Sequence, residues 1–134
     1  MSINVALLKQ ICEVPGVPGH EQKVRELVTK ELNGVVDSIT VDNMGNLIAL
    51  KKGKSSEKPV MAAAHMDEIG FIVSHIDDNG FLRFHPLGGF DPKTLTAQRV
   101  VIHGKQDVIG VMGTKPIHLM SAEERGKSLQ LTDF

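Results

Sequence analysis

Apolar residues first recur at helical spacing. Between residues 4 and 14, Val5, Leu8, Ile11 and Cys12 fall on one stripe that stops at Pro15-Gly16, which predicts a short amphipathic helix. A turn-rich link, Gly16-Val17-Pro18-Gly19, follows. The period returns from His20 to Asn33 with Val24, Leu27, Val28 and Leu32, and Gly34 is placed to cap this second helix in the left-handed conformation. Residues 35 to 41 and 47 to 51 are β-branched and apolar runs around Asp42-Asn43-Met44-Gly45-Asn46, a loop whose Asn and Gly residues tolerate positive φ, so a hairpin is expected.

The texture then changes twice. Pro59-Val60-Met61-Ala62-Ala63-Ala64 is continuously apolar over the length of a strand, the pattern of a central strand covered on both faces. It ends at His65-Met66-Asp67-Glu68. Beyond it, Gly70 to Ile76, Phe81 to Leu87, Arg99 to Gly104 and Val108 to Gly113 predict short strands separated by turns such as Asp77-Asp78-Asn79-Gly80, a β-meander or small barrel. A domain boundary is therefore expected near residues 67 to 70. A strand covered on both faces requires helices on both sides, yet two helices precede it and no crossover helix follows. The first half reads as unfinished. Ser121 to Phe134 begins as a polar helical turn and stops at Leu131-Thr132-Asp133-Phe134 without a capping signal, which reads as a cut.

Composition narrows the class. The 134 residues are 41% hydrophobic and 23% charged, in the range of a folded globular chain of about one domain. Fifteen basic against 16 acidic residues, for a net charge of -1, form no basic stripe, so neither nucleic acid nor an anionic membrane is an expected partner. No basic n-region precedes an apolar stretch at the N-terminus, and no window approaches the roughly 20 apolar residues of a bilayer span; a cytoplasmic location is expected. Cys12 is the single cysteine, which excludes an intrachain disulfide and a cysteine zinc cluster and leaves it as a small buried hydrophobe. Lys51 to Lys58 is a polar Lys/Gly/Ser run suited to a surface loop.

Chemistry concentrates at one place. His65 and Asp67, two apart at the C-terminal end of the apolar run, would share one side of a strand at the crevice where open α/β sheets hold their ligands. A neutral imidazole coordinates zinc, and a neighbouring carboxylate either binds the metal or holds the other ring nitrogen. The bland alternative is two polar residues closing a strand. His20, His75, His85, His103 and His118 match no zinc spacing and are expected to be exposed or satisfied in a core. Asp91, in Gly88-Gly89-Phe90-Asp91-Pro92, is a turn former, and Glu123-Glu124-Arg125 a solvated helix face. No Ser-His-Asp set, Walker loop or dinucleotide fingerprint is present.

Taken in order, Pro15-Gly16-Val17-Pro18-Gly19-His20-Glu21, Asp42-Asn43-Met44-Gly45-Asn46-Leu47, Ala63-Ala64-His65-Met66-Asp67-Glu68-Ile69-Gly70-Phe71, Gly88-Gly89-Phe90-Asp91 and Gly113-Thr114-Lys115-Pro116-Ile117-His118 resemble the dinuclear-metal glutamyl and deblocking aminopeptidases, which include the tetrahedral self-compartmentalised peptidases. The resemblance covers essentially the whole chain and about the first third of such a protein. It implies an α/β zinc-peptidase domain opening at residues 1–68, followed at 69–134 by most of a β-rich, barrel-like inserted dimerisation domain. It implies His65 as a ligand of one of two divalent metals, zinc or cobalt, Asp67 as the catalytic-site carboxylate that orients it, and Glu68 as the start of the crossing into the second domain. The implied activity is removal of N-terminal residues from peptide substrates by a two-metal-activated water, in homo-oligomers whose dimers build dodecamers. The remaining ligands and the general-base Glu of the family fall outside these residues, so the chain alone is expected to be inactive. Two alternatives stand beside this reading: a non-catalytic oligomerisation or binding module, and the endoglucanase description attached to some relatives.

Overall fold

A computed structural model describes residues 3–55 and 57–134. The chain divides into two compact units, the first up to Phe71 and the second from Ile72.

The first unit opens with α1 (Val5–Glu13). The Asn4 side chain accepts from the Leu7 N–H at 3.1 Å, satisfying one of the unpaired donors at a helix start. The helix ends at Val14, the residue before Pro15, where proline disfavours helical backbone. A second helix, α2 (Gln22–Leu32), closes where the Val35 N–H returns to the Leu32 carbonyl and Gly34 takes φ +76°, the left-handed turn that glycine makes at no steric cost. The hairpin follows as β1 (Ser38–Val41) and β2 (Leu47–Leu50), antiparallel, with Ser38 opposite Leu50 and Val41 opposite Leu47. Asp42 organises its loop by accepting from the Met44 and Asn46 N–H groups, both at 2.9 Å, and from the Asn46 side chain at 2.8 Å. The Asn46 amide, ahead of the backbone donors, holds the Asp42 carboxyl below its usual range. Arg25 Nε donates to the Gly45 carbonyl at 2.9 Å, tying α2 to this loop.

The second unit is built from two further hairpins. One is β3 (Gly70–Ile76) with β4 (Leu82–Leu87), turned by Asp77, whose Oδ1 accepts from the Asn79 and Phe81 N–H groups at 2.9 and 2.8 Å; the division between the units falls within β3. The other is β5 (Arg99–Ile102) with β6 (Val108–Val111), with Arg99 opposite Val111. Leu95 and Met112 are buried here, where the Ala97 N–H reaches the Met112 carbonyl and the Met112 N–H reaches Gln98. A last helical turn, α3 (Ala122–Arg125), is capped reciprocally by Ser121 and Glu124.

Two expectations are corrected. Pro59 to Ala64 forms no strand: Val60 and Met61 are 95% and 88% exposed, because none of the described strands pairs with this run and no layer covers it, and apolar texture without a ladder does not make a strand. Cys12 is exposed, because the apolar stripe of α1 is itself uncovered, with Val5 71% and Leu8 51% exposed.

Val24, Leu95 and Met112 are the buried hydrophobic residues among those described. Apolar faces at the right periodicity exist, but most have nothing packed on them.

Candidate functional site

His65, Met66 and Asp67 lie in the stretch between β2 and β3, outside any helix or strand. One backbone hydrogen bond ties that stretch to the turn after α1: the Glu68 N–H donates to the Gly16 carbonyl at 2.8 Å. Gly16 is buried, while Met66 and Asp67 are half-buried and His65 is exposed. The imidazole therefore projects from an anchored backbone.

The ring is oriented by its neighbour two residues on. His65 Nδ1 is 2.8 Å from the Asp67 carbonyl oxygen and 3.1 Å from Asp67 Oδ1. A carbonyl oxygen can only accept, so the ring nitrogen facing it carries the hydrogen. In the neutral ring the Nε2 lone pair is then left open, which is the tautomer a metal-ligating histidine adopts when its other nitrogen is held by a carboxylate or a carbonyl. The donor set fits one ligand and its orienting group. Among the described residues, no three His, Cys, Asp or Glu side chains are grouped so that they could hold a metal ion.

The remaining histidines stay apart from this pair in sequence and in role. His75 lies on β3, His85 on β4 and His118 in a single 3-10 turn, Ile117–Leu119. His103 pairs with Asp107 at 2.9 Å across the β5–β6 turn, a local contact that the spacing alone did not signal. Asp91 acts as the expected turn former, its Oδ1 accepting from the Lys93 N–H at 3.0 Å ahead of Pro92. The Glu123-Glu124-Arg125 run is exposed but not idle. Glu124 Oε1 meets Lys115 Nζ at 2.7 Å and its Oε2 accepts from the Ser121 N–H at 2.6 Å. Lys115 first, and Ser121 after it, pull the Glu124 carboxyl down to about 2.

Sequence reasoning missed the anchors of the candidate site. Gly16 and Gly70 leave no side-chain signal, yet a β-carbon on Gly16 would collide with Val24 Cγ2 and one on Gly70 with Val17 Cγ1. The usable clue was the glycine within each of the two quoted motifs, Pro15 to Glu21 and Ala63 to Phe71.

An anchored histidine held through Nδ1 by a carboxylate and a carbonyl is the arrangement expected of a metallohydrolase ligand. A family profile described as M42 glutamyl aminopeptidase matches residues 45–134, and the chain belongs to that family. A lysyl aminopeptidase of Pyrococcus furiosus is 45% identical over 127 residues, covering 92% of this chain and 36% of the relative. Among solved structures, a TET aminopeptidase from a Thaumarchaeota archaeon superposes with TM-score 0.88 at 34% identity, over 96% of this chain and 36% of that one. The TET1 peptidase of Pyrococcus horikoshii, described as assembling into a tetrahedron or a large octahedral shell, gives TM-score 0.78 at 36% identity, over 95% of this chain and 38% of that one. A Thermotoga maritima protein described as an endoglucanase gives TM-score 0.74 at 43% identity, over 81% and 34% of the two chains. The chain thus spans little more than a third of the length of the relatives it matches.

Proposed function

We propose that these residues form the N-terminal portion of a metal-dependent aminopeptidase that removes N-terminal residues from peptides. The observation that carries this is the double hold on His65 Nδ1 by Asp67, at 2.8 and 3.1 Å, which leaves Nε2 as the ligand atom. In this reading His65 binds one of a pair of divalent cations, zinc or cobalt, and Asp67 sets its tautomer and raises its basicity. Metal ions in such a centre supply polarisation of the scissile carbonyl and a water of lowered pKa. What this chain's own residues do is present one nitrogen and hold one proton at Nδ1. One ligand does not make a two-metal centre, so the chain by itself binds metal weakly and is inactive. Residues 69–134 serve as an inserted, barrel-like dimerisation domain once paired with a second copy, and the protein works as a cytoplasmic homo-oligomer. Support for the assembly comes from the shells formed by the Pyrococcus horikoshii peptidase and from the exposed apolar residues Ile72, Val73 and Ile76 of β3 and Val108, Ile109 and Val111 of β6.

Glycoside hydrolysis is a second reading, favoured by the description of the Thermotoga maritima neighbour. It uses two positioned carboxylates and no metal-ligating histidine, so the hold on His65 would have no part in it. Parallel assays on aminoacyl and cellulosic substrates separate the two.

The test of the main reading pairs the intact mass of the natural protein with a calorimetric zinc titration of the 134-residue chain. A chain spanning 36% of its relative predicts a natural mass near three times 14.6 kDa and weak binding by the short chain. A natural mass equal to this chain with tight, stoichiometric zinc would overturn the claim that it holds an incomplete centre. Equal mass without binding would favour a non-catalytic oligomerisation module.

A further inference from the structure

The Pro15–Gly19 turn, one of the motifs that the aminopeptidase reading leaves without a task, touches the His65–Asp67 stretch at two points. The Gly16 carbonyl accepts the Glu68 N–H at 2.8 Å. One residue on, the Val17 side chain fills the space a β-carbon would need at Gly70, and Gly16 itself abuts Val24 of α2. The peptide unit between Asp67 and Glu68 is rigid and planar, with its C=O and N–H pointing opposite ways. Its N–H is fixed by Gly16 and its C=O receives His65 Nδ1–H at 2.8 Å. Orientation is thereby relayed from the turn to the imidazole through one peptide plane, and each bond polarises the next. No strand ladder does this job, since residues 61–69 carry none.

We propose that Gly16, Val17 and Gly70 are positioning residues: a glycine clamp that locks the Asp67–Glu68 peptide and so selects the Nδ1–H tautomer of His65, leaving Nε2 open. Both glycines are required for lack of a side chain, because methyl groups of Val24 and Val17 stand where a β-carbon would go at Gly16 and Gly70. This inference rests on the metal-ligand reading of His65 for its purpose, though not for its geometry.

The test is the ring tautomer of His65 in the 15N-labelled 134-residue chain, read by long-range nitrogen–proton NMR above the histidine titration range. Wild type should be mainly Nδ1–H. Gly70→Ala, which drives a β-carbon into Val17 Cγ1, should shift the ratio toward the Nε2–H form of unconstrained histidine. Val17→Ala/Gly70→Ala removes that methyl, leaving Val17 Cβ as the nearest atom at 3.3 Å, and should restore the wild-type ratio. His103, held by Asp107 at 2.9 Å in the other unit, should be unmoved throughout. An unchanged His65 ratio in Gly70→Ala, or no recovery in the double variant, overturns the clamp. Should Gly70→Ala fail to fold, Val17→Ala alone decides: it empties the same contact without a collision, and an unaltered tautomer sinks the proposal. Because the short chain binds zinc weakly, the underlying reading is tested separately in an enzyme of the relatives' length carrying this segment. A clamp-dependent tautomer in the 134-residue chain, with the longer enzyme's zinc affinity unchanged by His65→Ala, refutes the ligand and spares the clamp; a zinc affinity lost in His65→Ala with a clamp-insensitive tautomer does the reverse.

Discussion

Asp67 holds His65 twice, once through its side chain and once through its backbone: Oδ1 is 3.1 Å and the carbonyl oxygen 2.8 Å from the same ring nitrogen. Truncating the side chain therefore removes one of two acceptors. In an enzyme of the relatives' length carrying this segment, Asp67→Ala is expected to weaken zinc binding by about 10-fold, the low end of the range of about 10- to 100-fold for lost outer ligand partners. His65→Ala, which removes the ligand atom, should cost much more. Competition against a chromogenic chelator measures both, and equal losses in the two variants would show that the carboxylate binds the metal directly.

Glu124 carries a pH signature. Its carboxyl sits at about 2 in the folded chain, from an ordinary 4.5, chiefly through Lys115. Because the folded value is depressed, the contribution to local order is complete above pH 4.5 and disappears as pH falls toward 2. The pair is about half exposed, so the gain is modest and salt-sensitive. Titration of the Glu124 side-chain carbon by NMR should show the low midpoint, and Lys115→Ala should return it most of the way to the ordinary value. A midpoint unmoved by Lys115→Ala would mean that the Ser121 cap alone sets it.

Gly45 combines φ +85° with a position against the Arg25 guanidinium. Gly45→Ala should destabilise the first unit by about 1–2 kcal/mol, from left-handed strain and displacement of Arg25. Urea denaturation followed on α2 reports it. Gly19, with φ +82° but open space around it, is the control and should cost less.

Uncovered apolar surface has a solution consequence. With Val5, Val60, Met61, Ile109 and Val111 all more than 60% exposed, the isolated chain is expected to bind a hydrophobic dye and to sediment above 14.6 kDa at micromolar concentration. Replacing Val60 and Met61 with serine should lower dye binding without altering β5–β6. A monomer that binds no dye would contradict the exposure described here.

Periodicity and turn chemistry were sufficient for the local elements. The apolar stripe and Asn4 define α1, Val24 to Leu32 with Gly34 define α2, and Asp42 and Asp77 mark their hairpin turns, because capping, spacing and side-chain-to-backbone bonds are settled within a few residues. His65-Met66-Asp67 was equally visible as a pattern, and its two-residue spacing already put the carboxylate within reach of the ring.

Local pattern was thus enough for the helices and hairpins and for the family to which the chain belongs. Tertiary structure decided the rest, since burial and pairing depend on what stands opposite. Pro59 to Ala64 has the texture of a central strand but no neighbour to bond, so it remains exposed chain. The anchoring of His65 passes through Gly16, Val17 and Gly70, about 50 residues apart along the chain. Such a contact arises because the absent β-carbons leave room for the Val24 and Val17 side chains against the glycine backbone, which no local pattern encodes.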